Sequence, residues 1–238
     1  MSTDADAAAT PNGPTDAEQV RTVLSRATSL SLTTTGQTYD LIGLHSVSDK
    51  GQVTLHPHAD SPLAQQAAEA PLGSLAALLE FTDIAPSPLR DRVRARVTVS
   101  GWLAPADDGT LRLDMARISL RTTGGTRAVG LDEFALAEPD PLAFEEAAML
   151  THMVDSHEEL THELLGLAGP RLPHGMIRSL PLALDRHGIT LRCEYESGHF
   201  DLQLLFPAFA RDATDAGDLI RQLLTAPREC AHRHHSHP

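Results

Sequence analysis

The chain has 238 residues and a formal charge of −13, because 32 acidic side chains stand against 19 basic ones. Hydrophobic residues make up 41% of the sequence, which suits one or two folded domains and excludes wholesale disorder. A net anion repels phosphate, so nucleic acid is not an expected partner. No apolar run approaches the roughly 18 residues of a membrane span, so a membrane is not expected as a partner either.

The numbers of cysteines and lysines indicate the cellular compartment and limit which side chains can bind an anion. Cys193 and Cys230 lie far apart, which is neither a disulfide framework nor a metal knuckle. The first residues carry acids where a secretory signal carries bases, so we expect a reducing cytoplasm. Lys50 is the single lysine of the sequence, so any bound anion has to be held by arginine, histidine or backbone N–H groups.

The first half of the sequence is typical of a β-rich domain. Residues 1–14 are small and polar and predict a disordered lead. Thr15 and Glu18 form a capping-box pattern, and the apolar spacing after them predicts a helix over 16–27. Alternating apolar residues then predict strands over 29–35, 39–47, 52–56, 75–84, 92–103 and 110–122. Five or six strands, mostly joined by short turns, predict a small antiparallel barrel over residues 15–130.

The second half indicates a smaller α/β unit. An acidic stretch with two prolines, residues 131–141, is interpreted as a linker. Asp140 and Pro141 are typical of a helix start, and the spacing after them predicts one helix that runs to about residue 168. The remaining elements are strands at about 177–184, 189–196 and 199–206 and a helix at about 213–226. The sequence therefore predicts an α+β protein, with an α-β-β-β-α domain over 142–228 and a histidine-rich tail over 229–238.

Two histidines of the long helix are candidate site residues. The motif HEELTH resembles a zinc-protease motif, but its histidines are spaced i, i+5, about 140° apart on a helix, so they cannot grip one metal from one face. His157 falls in the apolar stripe of the helix and is either a hydrogen-bonded core histidine or a buried base or ligand. His152 lies beside acidic residues, either on a solvated face or in the same site.

Arginine and histidine clusters are the other candidates. Arg92, Arg94 and Arg96 point to one side of a strand, about 6.6 Å apart, and would bind phosphate or propionate groups, or else form a wet barrel face opposite carboxylates. The tail carries further imidazoles that would bind a metal or haem iron, or else only lend a mobile end incidental metal affinity: His232, His234, His235 and His237. The segment DRHG at 185–188 is interpreted as a β-turn rather than a catalytic cluster.

Two segments resemble a known pairing of domains. The run SPLAQQAAEAPLGSLAALLEF…RVRARVTVSGWL resembles the split β-barrel of the pyridoxamine-phosphate-oxidase-like, flavin-binding superfamily. The run MLTHMVDSHEEL…LPLALDRHGITLRCEYESGHFDLQLLFP resembles the small α/β domain that follows this barrel in HugZ-type haem-utilisation proteins. Plant glutamyl-tRNA-reductase-binding proteins have the same pairing. The resemblance covers about residues 18–228 and looks closest to the actinobacterial branch.

The resemblance implies an FMN-binding-like split barrel, a homodimer, and a haem or flavin (FMN) site near the dimer interface. It also implies a C-terminal histidine as haem ligand, and oxidative opening of the haem ring if the protein is catalytic. The family's helix motif, His-Met-Asn-x-Asp-His, is here His152-Met153-Val154-Asp155-Ser156-His157, which keeps both histidines but lacks the asparagine and the second acid. That departure leaves open a non-catalytic binding or regulatory protein that acts through a protein partner. A metal-handling tail on an inert scaffold is a third reading.

Overall fold

A large antiparallel sheet dominates the first half of the molecule. The computed structural model describes residues 13–168, 172 and 174–225. In this part of the chain, eight strands form a curled half-barrel: β1 Ser29–Thr34, β2 Gln37–Ile42, β3 His45–Val47, β4 Val53–Leu55, β5 Leu75–Ile84, β6 Val93–Pro105, β7 Leu111–Thr122 and β8 Gly125–Val129. The strand order is β2-β1-β5-β6-β7-β4-β3, with β8 paired to β7. Alternate residues of β5 and β6 are buried, so one face of the sheet encloses the core and the other faces outward.

Short helices close this half-barrel. Helix α1, Asp16–Arg26, begins at the capping box of Thr15 and Glu18 and buries Val20, Val23 and Leu24. Helix α2, Pro62–Ala68, and a 3₁₀ turn over Pro71–Gly73 precede β5. Helix α3, Leu131–Leu136, lies within the stretch interpreted as a linker and buries Phe134 against the barrel core.

The second half packs helices on a small sheet. Its elements are α4 Glu146–Ser156, α5 Glu158–Gly166, β9 Arg178–Asp185, β10 Gly188–Tyr195, β11 Gly198–Leu205 and α6 Ala213–Thr225. Within the described residues, the three strands pair antiparallel in the order β11-β10-β9. Their buried face joins the helices in a separate apolar cluster that includes Leu150, Leu164, Ile189 and Ile220.

This architecture confirms the predicted α+β class and the antiparallel half-barrel followed by a small sheet with helices. Some element predictions are wrong. The strand predicted over 39–47 is two strands, since Gly43 adopts φ +65° between them. Strand β8 was not predicted. Asp140 does not cap a helix, because its Oδ1 accepts from the Leu142 N–H at 2.8 Å in a turn that precedes α4.

The helix predicted as continuous to residue 168 is broken at His157, which has φ −140° and ψ 51°. Asp155 and Ser156 are poor formers of helix interiors, while Glu158 and Glu159 stabilise the first turn of a new helix. Apolar spacing across the break is continuous, so periodicity could not reveal it. No helix in the described ranges is long and apolar enough to cross a membrane.

Candidate functional site

The predicted arginine row divides into three environments. Arg92 precedes β6, and its Nε and Nη2 donate to the Ala85 carbonyl at 2.9 and 2.7 Å, so it closes a local turn. Arg96 is 45% exposed and donates from Nη1 to Glu80 Oε1 at 2.9 Å. Arg94 is nearly buried between the two halves of the molecule. The structure therefore does not bring the three guanidinium groups together.

Arg94 belongs to a buried quartet of charges at the junction of the halves. It pairs with Asp83 of β5 at 2.8 Å and with Glu146 of α4 at 2.6 Å, and Arg26 of α1 pairs with the same two carboxylates. Burial works against the charged guanidinium, but Glu146 and Asp83 outweigh it and raise the pKa of Arg94 above its ordinary value. The quartet borders a cavity of about 260 Å³. Binding of propionate by Arg92, Arg94 and Arg96 stays a prediction.

The junction also engages the backbone of β9, an edge strand of the small sheet. Arg94 Nη1 donates to the Leu182 carbonyl at 3.0 Å, and the Leu184 N–H donates to Glu146 Oε1 at 3.1 Å. Arg186, in the turn after β9, pairs with Glu18 of α1 at 2.8 Å. Charged side chains of the barrel and of α4 thus satisfy main-chain groups of the neighbouring sheet.

The turn after β9 is the DRHG segment. Asp185 Oδ1 accepts from the N–H groups of His187 at 2.8 Å and Gly188 at 3.1 Å, which confirms the predicted β-turn.

His152 and His157 come together at the break between α4 and α5. Their rings meet edge to face, with centroids 4.8 Å apart and planes at 85°. They border a cleft of about 460 Å³ between α4, α5 and α6. The walls of the cleft are mainly apolar, and its rim is charged: Met149, Met153, Leu160 and Ile220 line it, with Glu159, Glu163 and Arg221 at the edge.

The helix break controls how His157 is presented. Its side chain is 45% exposed, so the interpretation of His157 as a core histidine is wrong. Its Nδ1 lies 3.2 Å from Glu159 Oε1. Hydrogen bonds from its own backbone N–H and from His157 lower the pKa of Glu159, which keeps this carboxylate ionised. When Nδ1 donates to the carboxylate, Nε2 carries the lone pair, which is the arrangement of most metal-ligating histidines.

These residues fit a haem in chemical terms. A cleft of this size with apolar walls suits a large flat ligand, an imidazole nitrogen suits its iron, and a rim arginine suits a carboxylate. The sequence predicts both histidines as site residues and predicts α6 as a helix, but it does not place α6 at the site. The spacing of Ala216, Leu219 and Ile220 could have assigned its apolar face, but not its position beside α4 and α5. The four tail histidines, His232, His234, His235 and His237, lie outside the described residues.

The fold is similar to that of a solved haem-binding protein from Mycobacterium smegmatis. The TM-score is 0.58 at 18% sequence identity, over 89% of this chain and 97% of that one. A second solved structure, the protein Atu2129 of unknown function from Agrobacterium tumefaciens strain C58, has a TM-score of 0.37 at 15% identity, over 91% and 99% of the two chains. No protein-family model and no curated protein matches the chain. At this identity, the first likeness shows a shared fold.

Proposed function

We propose that this protein binds haem in the cleft between α4, α5 and α6. The observation that carries the proposal is the pair of neighbouring imidazoles, His152 and His157, at the mouth of a mainly apolar cleft of about 460 Å³. The similarity in fold to a haem-binding protein, over 89% of the chain, supports it. Neither observation depends on the other, since the first concerns side chains and the second the backbone.

Each group of side chains at the cleft has a distinct role in haem binding. His157 binds the iron through Nε2, because Glu159 holds its Nδ1. His152 packs its ring against that of His157 and limits its rotation. The apolar wall that includes Met153 and Ile220 excludes water from the macrocycle, and Arg221 at the rim pairs with a propionate. The bound haem would supply an iron centre capable of ligand binding and electron transfer.

A haemin titration tests the proposal. We expect the wild-type protein to shift the Soret band at one equivalent of haemin, and His157→Ala to weaken binding by about tenfold or more, which is ~1.4 kcal/mol or more. The matched control is His162→Ala, which removes an exposed imidazole from α5 outside the cleft and leaves the titration unchanged.

A chain truncated after Thr225 completes this test, because it removes every tail histidine. The proposed site predicts wild-type affinity in the truncated chain. Loss of affinity on truncation, with none in His157→Ala, would move the iron ligand to the tail. Absence of any Soret shift would overturn haem binding and favour a protein that acts through a protein partner.

We further propose that the protein serves haem utilisation, as HugZ-type proteins do. The loaded protein, given ascorbate in air, distinguishes two roles. Progressive loss of the Soret band without released haem supports oxidative degradation, and a persistent band supports a carrier. FMN is the alternative cofactor, and the visible absorption of the protein as purified would identify it.

We also propose a homodimer formed through the outer face of the half-barrel. Leu78 and Trp102 are 42% and 48% exposed on this face, beside the small residues Ala76, Ser100 and Ala116. No charged side chain lines this shallow groove within the described residues, so two copies of an anionic chain can meet there without repulsion between like charges. Light scattering after size exclusion should give twice the chain mass, and Trp102→Glu should give the monomer.

A further inference from the structure

A row of polar side chains crosses four strands on the outer face of the half-barrel. The backbone register pairs Thr82 of β5 with Arg96 of β6, Arg96 with Arg121 of β7, and Arg121 with Thr126 of β8. All four side chains are exposed. Residues in direct register share one face of a sheet, with Cβ atoms about 4.5–5.5 Å apart. Two arginines therefore stand side by side between two hydroxyl groups.

The charges in this row are not balanced. Like charges directly opposite each other on neighbouring strands destabilise a sheet. The side chain of Arg96 has one carboxylate, Glu80, at 2.9 Å, whereas the guanidinium of Arg121 has no hydrogen bond or ion pair with any residue that the structure describes. A chain with 32 acidic residues has many available to pair with a surface arginine. Arg121 therefore carries a positive charge that no side chain among the described residues compensates.

A groove of about 470 Å³ opens at this pair of arginines. Its lining includes Arg96, Arg121, Thr122 and Thr123, with the carboxylate of Asp91 at one side, 3.9 Å from His199 Nδ1. Arg94 also borders the groove, but its charge is already compensated by Asp83 and Glu146. The groove thus offers two forked guanidinium donors and nearby hydroxyl groups, in a volume that suits a small ligand.

We propose that this groove binds the phosphate group of a small phosphate monoester between Arg96 and Arg121. A phosphate dianion has three acceptor oxygens and nearly two negative charges at neutral pH, so it would relieve the repulsion between the two guanidinium groups. A carboxylate offers fewer acceptors and one charge. The site lies on the half-barrel and is separate from the cleft proposed for haem.

Calorimetric titration with inorganic phosphate at constant ionic strength tests this site. We expect one phosphate per chain, and a loss of affinity of about tenfold in Arg121→Gln and in Arg96→Gln. The matched control is Arg117→Gln, which removes the same charge from an exposed position of β7, four residues or about 13 Å from Arg121. Its affinity should stay within twofold of the wild type. Acetate, titrated in parallel, should bind more weakly than phosphate.

Three outcomes would overturn the proposal. They are no saturable phosphate binding by the wild type at millimolar concentration, an equal loss in Arg117→Gln, and equal binding of acetate and phosphate. The NMR signals of the arginine Nε–H groups give a second readout, because phosphate should shift those of Arg96 and Arg121 and leave that of Arg117 in place. Haem binding should be the same in all three variants, so the two proposals fail independently.

Discussion

Two clusters of polar side chains, each containing a residue predicted to bind a cofactor, differ sharply in how well their hydrogen-bonding groups are satisfied. At the junction, the guanidinium of Arg94 is nearly buried and bonded to Asp83, Glu146 and a backbone carbonyl. At the cleft, His157 is 45% exposed and has one partner, Glu159, on Nδ1. Both clusters contain groups that bind ligands in other proteins.

How far the protein satisfies its own polar groups separates a structural cluster from a binding one. A buried charge whose hydrogen bonds are all made by the protein itself has little left to offer a ligand, and removing one partner leaves the others uncompensated. A half-exposed imidazole that is held through one nitrogen keeps the other nitrogen available. By this criterion the junction joins the two halves, and the cleft is the candidate site.

The largest expected effect is on the stability of the junction. Arg94→Met leaves Asp83 and Glu146 buried with Arg26 as their one cationic partner in the quartet, and should lower the free energy of unfolding by about 3–5 kcal/mol. Urea unfolding followed by circular dichroism measures it. The control Arg96→Met removes an exposed arginine from the same strand and should change stability by about 0.5 kcal/mol or less. Equal effects of the two variants would break the comparison.

A smaller effect is expected where Glu159 orients His157. Glu159→Gln removes the carboxylate that accepts from Nδ1, and should weaken haem binding about tenfold while stability is nearly unchanged. Glu158→Gln is the matched control, because Glu158 is exposed, precedes Glu159 directly and does not line the cleft. A haemin titration of both variants measures the difference. If Glu158→Gln weakens binding as much, the effect is one of net charge and Glu159 does not position the ring.

The smallest effect concerns Asp185, a carboxylate that borders the junction cavity with no arginine partner among the described residues. Burial raises the pKa of Asp185, and the charge of Asp140 raises it further. The native state therefore holds this proton more tightly than the unfolded chain does. The protonated carboxyl of Asp185 therefore stabilises the fold. This contribution to the free energy of unfolding is fully present below the unfolded pKa, about 3.9, and is lost as pH rises through the native pKa.

Asp185→Asn should accordingly stabilise the protein at pH 7 and have less effect at pH 4, because the amide never ionises and its Oδ1 can still accept from the turn. Urea unfolding at the two pH values measures this difference. The variant Asp212→Asn removes a carboxylate from the turn before α6 and serves as control, since it should not reproduce the stabilisation at pH 7. A gain that is larger at pH 4 than at pH 7 would mean that Asp185 is stabilised as a carboxylate, like the paired charges of the junction.

Much of the fold follows from local sequence, and most of the junction does not. The alternation of β5, β6 and β7 identifies these strands almost to the residue, because one face is buried and the other exposed. The pair Arg96 and Arg121 does not follow from the turn between β6 and β7 alone, because a β-bulge between Ser100 and Gly101 shifts the register by one residue, and counting from the turn would place Leu120 opposite Arg96. The ion pair of Arg26 and Glu146 spans 120 residues, so no local pattern predicts it.

The candidate cleft is predicted by the sequence in part only. Both of its histidines were identified from the helix sequence, but the break that exposes His157 was hidden by an uninterrupted apolar stripe. The third wall depends on how α6 packs, which spacing alone does not specify. Sequence thus identified the chemical groups of the site, while their accessibility depends on tertiary packing.

The contacts of Arg94 and Glu146 with β9 have one more consequence. An edge strand with open N–H and C=O groups is a template on which another chain can add a strand, the first step of amyloid-like aggregation. Here a guanidinium caps the carbonyl of Leu182 and a carboxylate caps the N–H of Leu184. The same two side chains that join the halves therefore also protect this edge strand from pairing with another chain, and we expect a variant that lacks Arg94 to self-associate more readily as well as to be less stable.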